Sequence, residues 1–288
     1  MSRLEEAMEK AARLRQEGGV ATVERIAETV ALTSAGTSQH DPRLRQDASR
    51  PINSDNPLLV NLNAPYSAAA EEIRKVKTML LNKTREGDFK NTIMVTSAIP
   101  GEGKTMTSLN LAISLAEEMD HTVLLVEADL RRPGFQQYLH LENNHGLSSC
   151  LLGECDLRDA IIPTGIGKLS VIRAGHGVPN PTELLSSQRA KDIIQEMKTR
   201  YPDRYIIIDT PPVLPFSEAR SLATLVDGII FVAMERRATT TDISEALEAL
   251  KGSPLLGLVY NSAEQMMGDK RHSYYRYYAG DKQSVQQA

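Results

Sequence analysis

Along this chain, short apolar runs alternate with longer stretches in which apolar residues recur every three or four positions. The apolar runs have the length of strands that are buried on both faces of a sheet. They lie at residues 93–95, 122–130, 205–209, 228–234 and 255–261, with a weaker one at 169–172. Helical periodicity covers residues 67–82, 104–115, 184–197 and 241–250. This alternation predicts an α/β fold with a doubly wound, mainly parallel sheet flanked by helices.

The two ends of the chain do not follow this pattern. Residues 1–32 include a short amphipathic helix at 4–16, which is either a docking element for a partner or a solvated helix. Residues 33–65 are polar and interrupted by prolines, which predicts a linker. The folded catalytic domain is then expected at 66–265, with a flexible tail at 266–288. The length of 288 residues allows one such domain with an appendage at each end.

The first apolar run leads into a loop whose residue types suit the binding of phosphate. Glycines allow backbone N–H groups to point at an anion, and the helix that follows adds positive potential there. Lys104 would reach the β- and γ-phosphates of ATP, and Thr105 could offer its hydroxyl to Mg²⁺. The consensus loop begins with Gly, whereas Ala98 occupies that position here. An ordinary glycine-rich turn is the alternative. The expected nucleotide-binding residues are Pro100, Gly101, Glu102, Gly103, Lys104, Thr105 and Met106.

Charged side chains follow two of the predicted strands. Glu127, Asp129 and Arg131 come at the end of the run at 122–130, and Asp209 ends the run at 205–209. Ligands of parallel sheets bind beyond the carboxyl ends of the strands, so these residues are expected around the phosphates. Asp209 matches the magnesium-side acid of such a site. The alternative is that the acids merely terminate their strands.

Composition narrows the class of protein further. The net charge of −4 and a pI of about 5.9 give no overall attraction to nucleic acid. The only cysteines, Cys150 and Cys155, indicate neither a disulfide framework nor a zinc site, which favours a reducing cytoplasm. No apolar run approaches the roughly 20 residues that span a bilayer. Any membrane association is therefore expected to come through a partner.

Three motifs together resemble those of the bacterial tyrosine kinases, which regulate polysaccharide synthesis and export. AIPGEGKT, VLLVEADLRRP and YIIIDTPP look like the Walker A, Walker A′ and Walker B motifs of that family, which is of P-loop NTPase type. The stretches GHGVPNPTELLSS, VDGIIFV and LLGLVYN are also similar. The resemblance covers about residues 65–280. It implies a protein-tyrosine autokinase that uses ATP and Mg²⁺.

The resemblance also implies roles for individual residues. Thr105, Asp129 and Asp209 would organise the metal. The family usually has Asp where Glu127 stands, and that carboxylate is a candidate base for the acceptor tyrosine. The extra methylene could displace the base by about 1 Å, so reduced activity is expected. The implied catalytic set is Lys104, Glu127, Asp129, Arg131 and Asp209, and Asn261 joins the nucleotide-binding residues.

A further family pattern, E-x-x-R-x-x-R, lies on the helix before the nucleotide domain. Here it reads Glu71, Arg74 and Lys77, with one departure from the pattern. In the family these residues join subunits into a ring, which implies a homo-oligomer such as an octamer. Lys cannot make the bidentate contact that Arg makes, so the third contact is expected to be weaker.

The last notable stretch is YYRYY, in which Tyr274, Tyr275, Tyr277 and Tyr278 surround Arg276. A buried strand and an RNA-binding tail are the alternatives to a mobile tail. Basic neighbours argue against a buried strand, and the acidic body of the chain argues against RNA. The resemblance implies that these four tyrosines are phosphoacceptors, modified in trans by a neighbouring subunit.

The resemblance implies partners as well. They are a second copy of the chain, protein tyrosine substrates, and a separate transmembrane polysaccharide co-polymerase or adaptor that recruits the kinase to the inner face of the membrane. Two other functions stay open at this point. One is a P-loop ATPase switch of the partitioning or division-site type. Such proteins add a second lysine early in the loop, but residues 97–100 of this chain contain no lysine, which argues against that function. The other is a scaffold that binds ATP without catalysis.

Overall fold

A seven-stranded sheet forms the centre of the computed structural model, which describes residues 54–85, 89–141, 145–201 and 203–263. Its strands contain few charged residues because both faces of the sheet are covered, and charged groups concentrate at the strand ends. The strands are β1 Thr92–Ser97, β2 Thr122–Glu127, β3 Ile162–Pro163, β4 Leu169–Ile172, β5 Arg204–Asp209, β6 Gly228–Met234 and β7 Leu255–Asn261.

The order of the strands across the sheet is β3-β4-β2-β5-β1-β6-β7. All neighbouring pairs are parallel except β3 with β4, which is antiparallel. Within β2 and β5 the register pairs Glu127 with Asp209, so the two acids lie side by side at the carboxyl edge. The prediction of a mainly parallel, doubly wound sheet is confirmed.

Helices connect the strands and cover the sheet. Three of the longer ones begin at polar caps, as Ser67, Ser187 and Thr239 accept hydrogen bonds from backbone N–H groups of their first turns. The helices are α1 Val60–Asn63, α2 Ala68–Thr84, α3 Lys104–Ala116, α4 Leu147–Leu152, α5 Leu157–Ala160, α6 Pro181–Leu185, α7 Gln188–Arg200, α8 Ser217–Ala223 and α9 Thr240–Ala249, and a 3₁₀ turn covers Phe135–Gln137.

Two segments differ from the sequence expectation. The helical stripe at 184–197 is divided into α6 and α7, because Ser187 caps the second helix by accepting the N–H of Ala190 at 3.1 Å. Strand β2 ends at Glu127, three residues before the end of the apolar run, where the chain turns into the loop that carries Asp129.

The described structure also begins before residue 66. Leu59 is fully buried in the core. Asn110 of α3 donates to the carbonyl of Leu58 at 2.8 Å and accepts the N–H of Asn61 at 3.1 Å. The last part of the polar segment therefore packs on α3, since two buried amide contacts and one leucine hold it there.

Apolar side chains alternate along the strands and form a core on each side of the sheet. In β5, for example, Ile206 and Ile208 pack on one side, whereas Tyr205 and Ile207 pack on the other. Among the residues that the structure describes, no helix combines the length and apolar character needed to span a bilayer. The predicted helix at 4–16 and the tail at 266–288 lie outside the described residues.

Candidate active site

The loop between β1 and α3 has the backbone shape of a phosphate cradle. Gly101 and Gly103 have φ values of 84° and 87°, in the left-handed region that glycine adopts without strain. A Cβ atom at Gly103 would lie 2.1 Å from Nδ2 of Asn261, so a side chain would collide there. Lys104 begins α3 directly after the loop, which places the helix N-terminus against the cradle. The loop thus fits a polyphosphate, as predicted.

Lys104 is held by carboxylates at the edge of the sheet. Its Nζ lies 2.8 Å from Oδ2 of Asp129, and the exposed fractions of the two side chains are 11% and 7%. Burial opposes the charge on Lys104, but attraction to Asp209 and Asp129 outweighs it and raises the pKa of the ammonium. The lysine is therefore a permanent cation at the cradle.

Asp209 lies on the other side of this cluster. The hydroxyl of Thr105 donates to its Oδ2 at 2.8 Å, and the hydroxyl of Ser108 donates to its Oδ1 at 3.2 Å. Burial raises the pKa of Asp209 to about 6, although Lys104 and Thr105 act in the opposite direction. Ser108 was absent from the predicted site, and its signal in the sequence was its place one turn after Lys104.

Thr105 and Asp209 suit a magnesium ion that is shared with a nucleotide. Mg²⁺ in such sites takes one or two protein oxygens and completes its shell with phosphates and water. In the part of the chain that the structure describes, no three His, Cys, Asp or Glu residues group to hold a metal by themselves. Thr105 and Asp209 supply two oxygens, which matches a metal whose other ligands come from ATP and water.

Glu127 uses both carboxylate oxygens within the protein. Its Oε1 accepts the N–H groups of Gly134 at 2.5 Å and Phe135 at 2.7 Å, and its Oε2 accepts the N–H of Ala174 at 2.9 Å. The residue is only 2% exposed. Burial raises the pKa of the carboxyl group, and the three backbone N–H groups and Arg173 oppose that rise.

Arg131 is turned toward two residues that the predicted site did not contain. Its Nε lies 2.5 Å from Oε1 of Glu218, and its Nη2 donates to Oγ1 of Thr182 at 3.0 Å. The guanidinium also lies 4.8 Å from the ring centre of Phe216. Glu218 is 1% exposed and binds Thr182 as well, so it fixes the arginine in place. Thr182 lies in the stretch GHGVPNPTELLSS, whereas Glu218 had no motif to mark it.

Other residues contact the loop and stabilise its conformation. The buried carboxylate of Glu102 accepts the N–H of Ile99 at 2.8 Å, so only its backbone is available to a nucleotide. Asn261, at the end of β7, donates to the carbonyl of Glu102 at 3.0 Å. Arg237 donates to the carbonyl of Pro100 at 3.4 Å and adds an exposed cation beside the loop that the predicted site did not contain. Met106, in the first turn of α3, lies partly buried next to Gly103.

The three predicted interface residues lie on α2, but they are not equally free. Arg74 pairs with Glu71 at 2.6 Å, and about a third of each side chain is exposed. Lys77 instead pairs with Glu118 at 2.7 Å and is 12% exposed. Glu71 and Arg74 are thus the accessible members of the pattern. The predicted acceptors Tyr274, Tyr275, Tyr277 and Tyr278 lie outside the described residues.

Comparisons with known sequences point to one family. Residues 90–252 match the model of the AAA domain family. Tyrosine-protein kinase YwqD of Bacillus subtilis strain 168 is 34% identical over 80% of this chain and 94% of its own length. The succinoglycan biosynthesis transport protein ExoP of Rhizobium meliloti strain 1021 is 30% identical over 75% of this chain and 29% of its own length.

Solved structures agree with this assignment. The kinase domain of Escherichia coli tyrosine kinase ETK has a TM-score of 0.68 and 31% identity, over 73% of this chain and 82% of that one. The septum site-determining protein MinD of Pyrococcus horikoshii OT3, complexed with Mg-ADP, is less similar, with a TM-score of 0.53 and 25% identity over 65% and 76% of the two chains. The three motifs, the sheet and these relatives together show that the chain belongs to the bacterial tyrosine kinases, a P-loop family.

Proposed function

We propose that this kinase transfers the γ-phosphoryl group of Mg–ATP to the tyrosines at 274, 275, 277 and 278 of a second copy of the chain. The observation that carries the proposal is the convergence of one lysine and two acids at the mouth of a phosphate cradle. Lys104 is 2.8 Å from Asp129, and Asp209 is tied to Thr105 in the first turn of the same helix. Asp129 and Asp209 belong to separate strand ends, so only the assembled sheet creates the cluster.

Each residue of this cluster would have its own role in phosphoryl transfer. Lys104 would stabilise charge on the β- and γ-phosphates, and the backbone N–H groups of residues 100–105 would hold the remaining oxygens. Thr105, Asp209 and Asp129 would hold Mg²⁺, which neutralises phosphate charge when bound. Most of the catalysis would then come from position and electrostatics, as is usual for phosphoryl transfer.

Assembly and regulation follow from the same resemblance. Glu71 and Arg74 would join neighbouring subunits into a ring, and Lys77 would take part only if it left Glu118. A tail from one subunit would enter the site of the next. Each phosphate adds about −1.5 to −2 charge at neutral pH, so a phosphorylated tail would be repelled by Asp129 and Asp209 and would leave the ring looser.

The polysaccharide role is supported by the relatives. ExoP is named for the biosynthesis and transport of succinoglycan, and it aligns with 75% of this chain. We infer a role in the synthesis or export of an extracellular polysaccharide, in which a transmembrane adaptor recruits the kinase to the inner face of the membrane and stimulates it. Purified kinase should therefore autophosphorylate faster with the cytoplasmic segment of that adaptor than alone; equal rates would contradict the adaptor model.

Labelled ATP tests the reaction directly. The intact chain should place label on tyrosine within residues 273–279, detected by phosphopeptide mass spectrometry, and should require Mg²⁺. Lys104→Met should abolish transfer because it removes the charge aimed at the phosphates. Lys251→Met is the matched control, because Lys251 is exposed and lies away from the loop, where it pairs with Glu248 at the end of α9. Release of free phosphate without phosphotyrosine would favour an ATPase switch instead.

A mixing experiment tests transfer between chains. The acceptor is the Lys104→Met chain with its tail intact, and the active donor carries Phe in place of the four tail tyrosines. Label should appear on the acceptor tail. An acceptor in which the four tyrosines are also Phe should stay unlabelled. An intact acceptor that never acquires phosphate would overturn the trans mechanism.

A further inference from the structure

Glu127 stands at the position where the family resemblance implies a proton-accepting carboxylate, yet its surroundings differ from those of a free base. The residue is 2% exposed, and its two oxygens accept three backbone N–H groups at 2.5, 2.7 and 2.9 Å. Three of the roughly four acceptor sites of a carboxylate are thus used within the protein, and burial keeps the remaining site on Oε2 away from the hydroxyl of an incoming tyrosine.

The three donors come from two separate segments of the chain. Gly134 and Phe135 lie in the loop that follows β2 and Asp129, whereas Ala174 follows β4. Glu127 therefore connects two segments that are distant in the sequence, and Arg173 adds a second connection by donating to Oε1 of Gln136 at 2.9 Å. A buried charge that receives three hydrogen bonds is strongly fixed, because breaking one of them leaves a buried donor unpaired.

The first of the two tied segments lies against residues of the site, and the second lies against the start of α4. A Cβ atom at Gly134 would be 3.3 Å from Cγ2 of Thr105, so the first loop packs on the threonine that faces Asp209. In the same loop, the N–H of Arg132 donates to Oδ1 of Asp129 at 3.0 Å. On the other side, the carbonyl of Ala174 accepts the N–H of Ser148 at 2.8 Å at the start of α4. Movement of Glu127 would thus disturb the groups that face the phosphates.

The length of the side chain matters for this arrangement. Asp would withdraw the carboxylate by about 1.5 Å, the length of one C–C bond. From contacts of 2.5–2.9 Å, such a retreat takes at least one of the two segments out of hydrogen-bonding range. Gln keeps the length and one acceptor oxygen, so it can still hold Gly134 and Phe135 while it loses the contact with Ala174.

We propose that Glu127 is a positioning residue that holds the loop after β2 in place around Asp129 and Thr105 and ties that loop to the segment after β4, and is not the base that accepts the tyrosine proton. The catalytic consequence rests on the tyrosine-kinase function proposed above, whereas the anchoring itself does not. If Glu127 positions the loops, Glu127→Gln keeps more activity than Glu127→Asp, whereas a base at this position would give the opposite order.

Kinetics on the intact chain provide the first test. We expect kcat for tyrosine phosphorylation to fall less than about 10-fold in Glu127→Gln and about 100-fold in Glu127→Asp, because a misplaced site loses rate steeply. KM for Mg–ATP should rise in Glu127→Asp as Thr105 shifts. A base would give the opposite order, with Asp near wild type and Gln reduced by a factor of 100 or more. A folded Gln variant that binds ATP and has lost activity to that extent would overturn the proposal.

Hydrogen–deuterium exchange on the same proteins provides the second test, and it needs no activity. In Glu127→Asp, at least one of the peptides covering 131–136 and 172–176 should exchange faster, while the β5 peptide at 205–208 stays protected as an internal control. Unchanged exchange in both segments would overturn the proposal. If the wild-type chain fails to phosphorylate tyrosine, the proposed function fails, but this measurement still decides whether Glu127 anchors the two loops.

Discussion

Replacing Asp209 with Asn should stabilise the nucleotide-free fold while it abolishes phosphoryl transfer. Asp209 is 1% exposed, and burial raises its pKa from 3.8 to about 6. The charged carboxylate thus costs free energy in the folded protein, even with Lys104 nearby. Asn fills the same volume without the charge and can still accept the hydroxyl of Thr105, which now donates to Oδ2 at 2.8 Å.

The size and pH dependence of the gain follow from this pKa. The unfolded carboxyl group loses its proton near pH 3.8 and the folded one near pH 6, so the free energy of unfolding falls as pH rises between these values. Each pKa unit corresponds to about 1.4 kcal/mol, which gives a cost of about 3 kcal/mol at pH 8. At pH 5, where the folded group keeps most of its proton, the cost is roughly half as large. Asp209→Asn does not have this cost, because Asn carries no charge at any of these pH values.

Urea unfolding in EDTA at pH 5 and pH 8 measures both values. The stability gain of Asp209→Asn should be larger at pH 8, whereas Asp120→Asn, an exposed control on the turn after α3, should change little. Adding Mg–ATP should stabilise the wild type by mass action and have much less effect on the variant. A variant less stable than wild type at pH 8, or a gain that is larger at pH 5, would refute the reasoning.

Three further outcomes can be measured. Gly103→Ala should lower the free energy of unfolding in urea by about 1–2 kcal/mol, because Gly103 has a φ of 87°. The control Gly177→Ala should cost much less, since a Cβ atom there meets nothing within 4 Å. Equal losses in the two variants would argue against the cradle geometry. Iodoacetamide at pH 8 should alkylate Cys155 alone in the folded protein, since burial raises the pKa of Cys150 to about 12. Rapid alkylation of both thiols, detected by mass spectrometry, would contradict this burial. Arg74→Ala should shift size-exclusion profiles toward smaller species; an unchanged profile would exclude Arg74 from the ring.

Most of the architecture could be predicted from the sequence. Short runs of apolar residues that are bounded by glycine, proline or acids are typical of buried strands, and their alternation with helical stripes favours parallel connections. The phosphate loop could also be identified, because its glycines, Lys104 and Thr105 are neighbours in the chain. The break between α6 and α7 was missed, since the cap at Ser187 interrupts a stripe that continues in register on both sides.

Residues that join the site from far along the chain could not be found in this way. Glu218 is 87 positions from Arg131, and Arg237 is 137 positions from Pro100. No local pattern marks Glu218 as the partner of an arginine. Which side chains meet depends on the order of the strands, and that order results from packing across the whole sheet.

Glu127 shows the same division within one residue. The sequence predicted that this carboxylate lies near the carboxyl end of an apolar run, among the groups around the phosphates. Its place beside Asp209, and its hydrogen bonds from the N–H groups of Gly134, Phe135 and Ala174, emerge only in the folded sheet. The physical reason is that periodicity specifies burial and chain direction locally, whereas the hydrogen-bond partners of a buried charge depend on which distant loops the folded sheet brings beside it.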